Sequence, residues 1–86
     1  MGSEYLIIKI MGFELEGQNF VVTGAAKGIG LAISRKLSEL GAHVSGWDLD
    51  SSSMLTDSIF SHCVRVDVSN DESVASATEE TIKNFE

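Results

Sequence analysis

Proline is absent from this sequence, cysteine occurs once, and no run approaches the length of a membrane-spanning segment. Each shortage excludes something. A single cysteine, Cys63, forms no internal disulfide, so neither a disulfide-stapled secreted scaffold nor a cysteine-built metal site is expected. A spanning helix needs about 20 consecutive apolar residues. The opening "MGSEYLIIKIMG" has only a short apolar patch, preceded by Glu4 and interrupted by Lys9, and no small-residue cleavage site follows, so it reads as a poor signal peptide. The expected location is cytoplasmic. Basic charge is also scarce, and unevenly so. Up to Trp47 four acids balance four bases, whereas Asp48 to Glu86 holds nine acids against Arg65 and Lys83, which accounts for the whole net charge of -7. A half of that sign repels nucleic-acid backbones and anionic lipid, so neither nucleic acid nor a membrane surface is expected as a partner.

What is present is the composition of a small globular domain: 43% hydrophobic and 22% charged residues lie outside the disordered and fibrous classes. A chain of 86 residues holds one domain at most and buries only about 60 to 65% of its unfolded surface. Along it, "QNFVVTG" (Gln18 to Gly24) reads as a continuous apolar strand of the kind covered on both faces. The period then changes. Ile29, Ala32, Ile33, Leu37 and Leu40 fall at helical steps with Arg35, Lys36 and Glu39 opposite, and Gly41 follows at the helix end. "AHVSGWDLD" reads as a second strand, "SSSMLTDSIFS" as a loop or weak short helix, and "HCVRVDV" (His62 to Val68) as a third strand. "SNDE" reads as a capping box with Ser69 as cap and Glu72 three residues on, opening a helix that runs to the chain end. Strand and helix alternate, which predicts an α/β fold with a parallel, doubly wound sheet. Right-handed crossovers place the second and third strands successively outward on one side of the first, leaving the first strand's other edge open.

The chemistry-bearing stretch is "VVTGAAKGIGLAI", where Gly24, Gly28 and Gly30 fall between the first strand and the first helix. Backbone N–H groups and the positive end of a helix dipole at such a turn suit an anion, with phosphate the obvious one. Gly24 would close a tight turn, Gly28 would permit close ligand approach, and Gly30 would let the helix pack tightly against the sheet. Asp48, at the end of the second strand, is an expected acceptor for a ribose diol. An ATP-type phosphate loop is excluded because no Gly-Lys-Ser/Thr follows, and a nucleophile elbow because Gly-x-Ser-x-Gly is missing. His43 and His62 have no partner at ligand spacing and read as structural or solvated, and no metal site is expected. Cys63 reads as a small core hydrophobe, and Trp47 as a neighbour of the ligand pocket or the sheet end.

"TGAAKGIG" (Thr23 to Gly30) resembles the Thr-Gly-x-x-x-Gly-x-Gly signature of the short-chain dehydrogenase/reductase family, in its non-extended branch. "WDLD" and "RVDVSN" resemble that family's two further cofactor motifs in the right order, and the likeness covers Gly12 to Glu86. It implies a partial Rossmann-like fold, β-α-β-α-β-α, about half of the full domain. It also implies residues 12–86 as the N-terminal half of a dinucleotide-binding domain, residues 1–11 as an N-terminal extension, and Met11 as the ancestral start. By that resemblance the backbone around Gly24, Gly28 and Ile29 holds the pyrophosphate and adjoining ribose, and Gly30 completes the motif. Asp48 accepts the adenosine hydroxyls, Leu49 lines the adenine pocket, and Asp67 with the Val68 N–H reads the adenine edge. Asp48 favours NAD by repelling the extra phosphate of NADP, whereas Lys27 argues mildly for NADP.

The family's catalytic serine, Tyr-x-x-x-Lys pair and asparagine have no counterpart after Asp67 in the 86 residues. Tyr5 and Lys9 have that spacing but precede the first strand, so no catalytic residue is assigned and no turnover is expected of these residues alone. Whether the chain is an enzyme therefore stays open. The sequence reads as an NAD(P)-binding fragment of an oxidoreductase acting on CH–OH or carbonyl groups. The alternatives are an association module that pairs its open first strand with another copy, giving a homo-oligomer, or with a separate C-terminal half, and a truncated reading frame. Sequence beyond Glu86 containing Asn-Asn-Ala-Gly and then Tyr-x-x-x-Lys would mark truncation.

Overall fold

A computed structural model describes residues 15–86. The extension, the alternative start and the Tyr5–Lys9 pair lie outside the described residues. The elements follow one another as β1 (Asn19–Thr23), α1 (Gly28–Glu39), β2 (His43–Asp48), a short 3-10 turn (Met54–Thr56), β3 (Phe60–Arg65) and α2 (Asp71–Phe85). Three parallel strands lie in the order β1-β2-β3, with Asn19 opposite His43 and Asp48 opposite Arg65 at the two ends of the register. This is a partial Rossmann-like α/β fold, and the strand order is the one that right-handed crossovers require. The ambiguous serine-rich stretch resolves as the 3-10 turn.

Pleating divides the core. Val44 joins Ala25, Met54 and Phe60 on one face of the sheet, with Leu31 and Leu37 of α1 and the free thiol Cys63 packed against them. Trp47, three residues on and therefore on the other face, joins Val66 and Ala77 of α2. Gly46 sits on the α1 face because a Cβ there would come within 2.7 Å of Met54 Sδ and of the Phe60 ring. Burial raises the Cys63 pKa, with Asp57 adding to it, as befits a thiol packed against apolar side chains.

Four expectations need correction. The apolar stripe on α1 was placed at Ile29, Ala32, Ile33, Leu37 and Leu40, yet Ile29 is 80% and Ile33 48% exposed. Leu37 faces the core as expected, but Leu31 and the fully buried Ser34 join it in place of the isoleucines, with Ser34 Oγ donating to the Gly30 carbonyl at 2.8 Å. Strand β1 is not covered on both faces within the described residues, since Val21 is 44% exposed. Helix α2 is capped by Asn70, not Ser69: Asn70 Oδ1 accepts from Ser73 N at 3.0 Å, while the Ser69 hydroxyl donates to Asp67 Oδ1 at 2.6 Å. Strand β3 also begins and ends earlier than expected, at Phe60 and Arg65. Beyond it, Asp67 N donates to Ser73 Oγ and its carboxylate accepts from Ser69, so the chain turns into α2 there.

Candidate dinucleotide site

The carboxyl ends of β1, β2 and β3 converge on one cleft of ≈ 350 Å³, the end of an open parallel sheet where ligands bind. Its walls come from Gly24, Trp47, Asp48, Leu49, Val66, Asp67, Val68 and Ser69. Of the nine residues nominated from sequence, Gly24, Asp48, Leu49, Asp67 and Val68 thus line one space. Lys27, Gly28, Ile29 and Gly30 continue from Gly24 through the loop into the first turn of α1 and are not among the cleft's walls.

Local chemistry explains the loop. Gly24 and Gly28 have φ of +65° and +61°, a region that costs other residues about 1 to 2 kcal/mol. A Cβ on either would meet no atom within 4 Å, so the space before the loop is open. Gly30 differs: a Cβ there would overlap the Gly24 carbonyl, so its closeness is to the loop's own start and not to the sheet. Lys27 is the extended N-cap of α1, makes no side-chain cap bond, and is followed by no acidic residue in the first turn. Helix α2 is the opposite case, with Asn70 capping and Asp71 and Glu72 in its first turn. The positive end of α1 is left without an anion of its own, whereas α2 supplies one.

Asp48 ties the strand end to the loop. Its Oδ2 accepts from Ala26 N at 3.0 Å and its Oδ1 from Asp50 N at 3.1 Å. Each carboxylate oxygen has a second lone pair, so both can accept again from a ligand hydroxyl. The neighbouring backbone is pinned as well: Val66 N donates to Asp48 O, and Arg65 Nε to Leu49 O, at 3.0 Å each. The hydroxyl and then the N–H of Ser69 hold the Asp67 carboxyl below its ordinary value, so Asp67 is an ionised acceptor at neutral pH. Ser52 does the same for Asp50, with Lys27 a lesser contributor.

Leu49 and Val68 are 58% and 60% exposed and present apolar surface at the cleft mouth. Trp47 forms part of the wall from a buried position, a role within the sequence expectation. Val66 and Ser69 are additional wall residues: Val66 is one of seven valines in the sequence with nothing local to single it out, and Ser69 reads as a helix cap. His62, read from sequence as structural or solvated, lies outside the cleft's walls, and its partners Ser45 and Glu80 are 17 and 18 residues away in the chain. Among the described residues no group of three or more His, Cys, Asp or Glu side chains is arranged to hold a metal ion, and no helix is long and apolar enough to cross a membrane.

Comparison with known proteins adds independent information. Residues 24–86 match the family model described as enoyl-(acyl carrier protein) reductase. Over 40 residues the chain is 55% identical to 2,3-dihydroxy-2,3-dihydro-p-cumate dehydrogenase of Pseudomonas putida, a span that is 46% of this chain and 15% of that protein. The crystal structure of 3-ketoacyl-(acyl-carrier-protein) reductase from Brucella melitensis, complexed with NADH, superposes with a TM-score of 0.76 at 28% identity, covering 83% of this chain and 31% of that one. A short chain dehydrogenase/reductase from Burkholderia phymatum, in complex with NAD, superposes with a TM-score of 0.76 at 30% identity, covering 85% and 28% respectively. The chain thus spans less than a third of the length of each of these relatives.

Proposed function

The chain belongs to the short-chain dehydrogenase/reductase family, and from that premise we propose that residues 12–86 form the cofactor-binding N-terminal half of such an oxidoreductase and take NAD. The observation that carries this is the bond from Ala26 N to Asp48 Oδ2, which joins the glycine loop to the acidic strand end beside a single cleft. The residues fit a dinucleotide: an open space before Gly24 and Gly28, an α1 N-terminus without its own acid, and a carboxylate with lone pairs to spare. In this reading Gly24, Gly28, Ile29 and Gly30 receive the pyrophosphate with Lys27 beside them, Asp48 accepts the adenosine ribose hydroxyls, and Leu49, Asp67 and Val68 hold the adenine. The NAD and NADH in the two related structures favour the same class of ligand. When bound, the nicotinamide supplies hydride exchange with an alcohol or carbonyl. NAD is preferred over NADP because the Asp48 carboxylate would face the added phosphate.

The chain's own residues bind and orient the cofactor. Asp48 and Asp67 are hydrogen-bond acceptors in this scheme, and we assign neither a proton-transfer step, so the 86 residues by themselves are expected to bind without turnover, in a cytoplasmic setting. Trp47 is the sole tryptophan, so NADH in the cleft would quench its emission or take up its energy. Asp48→Asn is expected to weaken NADH binding about tenfold or more, in keeping with loss of a charged hydrogen bond worth about 1.5 to 3 kcal/mol, and to narrow the preference over NADPH. Unchanged Trp47 emission at millimolar NADH, with no calorimetric heat, would refute the proposal.

A second reading is favoured by the edge of β1, which has no strand partner among the described residues, and by the exposure of Val21, Ile29 and Ile33: these residues associate through that edge, with another copy or with a separate C-terminal half. A folded monomer at every concentration in sedimentation would count against pairing with a copy.

A further inference from the structure

Behind the cleft lies a hydrogen-bonded chain that the cofactor reading does not use. Trp47, a residue of the cleft wall, donates from its indole Nε1 to Ser45 Oγ and to Thr81 Oγ1, at 3.2 Å each. Ser45 Oγ lies 2.9 Å from His62 Nδ1, and His62 Nε2 lies 2.9 Å from Glu80 Oε2. Ser45 is fully buried, whereas the Glu80 side chain is 59% exposed. The chain therefore runs from solvent at α2, through β3 and β2, to the wall of the cleft. Ser45, His62 and Glu80 have the residue types of a hydrolytic triad, but a hydroxyl with no exposed surface meets no substrate.

Counting hydrogens gives the chain a direction. A neutral imidazole with its proton on Nε2 donates to Glu80 and leaves Nδ1 to accept from the Ser45 hydroxyl. Ser45 Oγ then accepts from Trp47, and every polar group is satisfied. A doubly protonated imidazole donates from both nitrogens. Ser45 Oγ must then accept from Nδ1, and its own hydrogen loses its acceptor where water does not reach. Relief comes from rotating Ser45 or drawing the imidazole toward Glu80, and rotation redirects the bond that orients Trp47. The charged group facing the imidazole from α2 is Glu80, with the Phe85 ring edge-on at 6.4 Å. Strand β2 faces it with Ser45 and Trp47, neither of which is charged.

We propose that the Glu80–His62–Ser45 relay orients the indole of Trp47, a residue of the dinucleotide cleft's wall, so that protonation of a histidine outside the cleft changes the cleft's affinity for its ligand. This rests on the cofactor reading above. Ser45, His62 and Glu80 are positioning residues and touch no ligand.

Trp47 emission reads the relay without any ligand. In the free protein it should respond to acidification, because charging the imidazole leaves the Ser45 hydrogen without its acceptor. His62→Gln should abolish that titration, and His43→Gln, at the exposed start of β2, should leave it intact. Glu80→Gln keeps an acceptor for Nε2–H, so it should retain the high-pH emission. NADH should bind several-fold more weakly at about pH 5.5 than at about pH 8, a ratio that His62→Gln brings to one. An emission titration unaltered in His62→Gln overturns the relay. A titration tied to His62 with equal NADH affinity at the two pH values overturns its link to the cleft. No NADH binding at either pH overturns the cofactor reading instead, while the ligand-free emission still judges the relay. Far-UV circular dichroism checks each variant's fold. If His62→Gln does not fold, Ser45→Ala decides, since it removes the link between imidazole and indole, and an emission response to acid as large as in the wild type overturns the relay.

Discussion

At the scale of single residues, the three glycines of the loop have two different physical reasons to be glycine. Gly28 needs a backbone region that disfavours side chains, but a methyl group there would stand in open space. Gly30 needs no special backbone, but a methyl group there would overlap the Gly24 carbonyl. Gly28→Ala is therefore expected to lose about 1 to 2 kcal/mol of stability. Gly30→Ala is expected to lose more, because the start of α1 must move away from the loop, and to displace the Gly24 end of the cleft. Urea unfolding of the two variants checks the order, and equal losses would show that the loop yields freely to the Gly30 methyl. The glycine spacing was legible in the sequence because adjacent residues shape a turn. The object that Gly30 approaches was not, because the chain must fold back before that carbonyl lies beside the helix.

At the scale of elements, the junction between β3 and α2 shares its polar groups between cap and site. Asn70 satisfies the first turn of α2, which frees Ser69 to hold Asp67 in the cleft. Asn70→Ala should cost about 0.5 to 2 kcal/mol, whereas Ser69→Ala should act chiefly on Asp67. The folded pKa of Asp67 lies below its unfolded value, so its contribution to stability is present above the ordinary carboxylate range and is lost as pH falls through the folded pKa. Acid unfolding followed by circular dichroism should show the difference between wild type and Ser69→Ala narrowing as pH falls below about 4. A difference constant down to strongly acidic pH would contradict that account. Ser69 and Asn70 are both good caps by composition, so the element's existence could be read locally while its first residue could not. The competing bond to Asp67 decided between them.

At the scale of the whole molecule, the three-stranded sheet leaves β1 and β3 each with one unpaired edge among the described residues, and exposed apolar side chains lie on β1 and on the helix that follows it. Val21, opposite Ser45, lies on the face that α2 covers over β2 and β3, yet stays 44% exposed, and Ile29 and Ile33 share one side of α1 on the other face. A domain of this size has little stability to spare. Association through that edge would therefore raise the melting temperature with protein concentration, alongside the sedimentation change described above. A melting temperature independent of concentration would leave the cofactor reading untouched and remove self-pairing.

The sequence by itself determined the α/β class, the parallel strand order, the glycine loop and the acid at the end of β2. Each depends on local periodicity, on residues adjacent in the chain, or on the handedness of a crossover. Only the tertiary structure decided which side of α1 meets the sheet, which residue caps α2, and that His62 lies between Ser45 and Glu80. Those outcomes depend on groups brought together from distant positions, where burial and competition for hydrogen-bond partners choose among arrangements that the local pattern leaves equal.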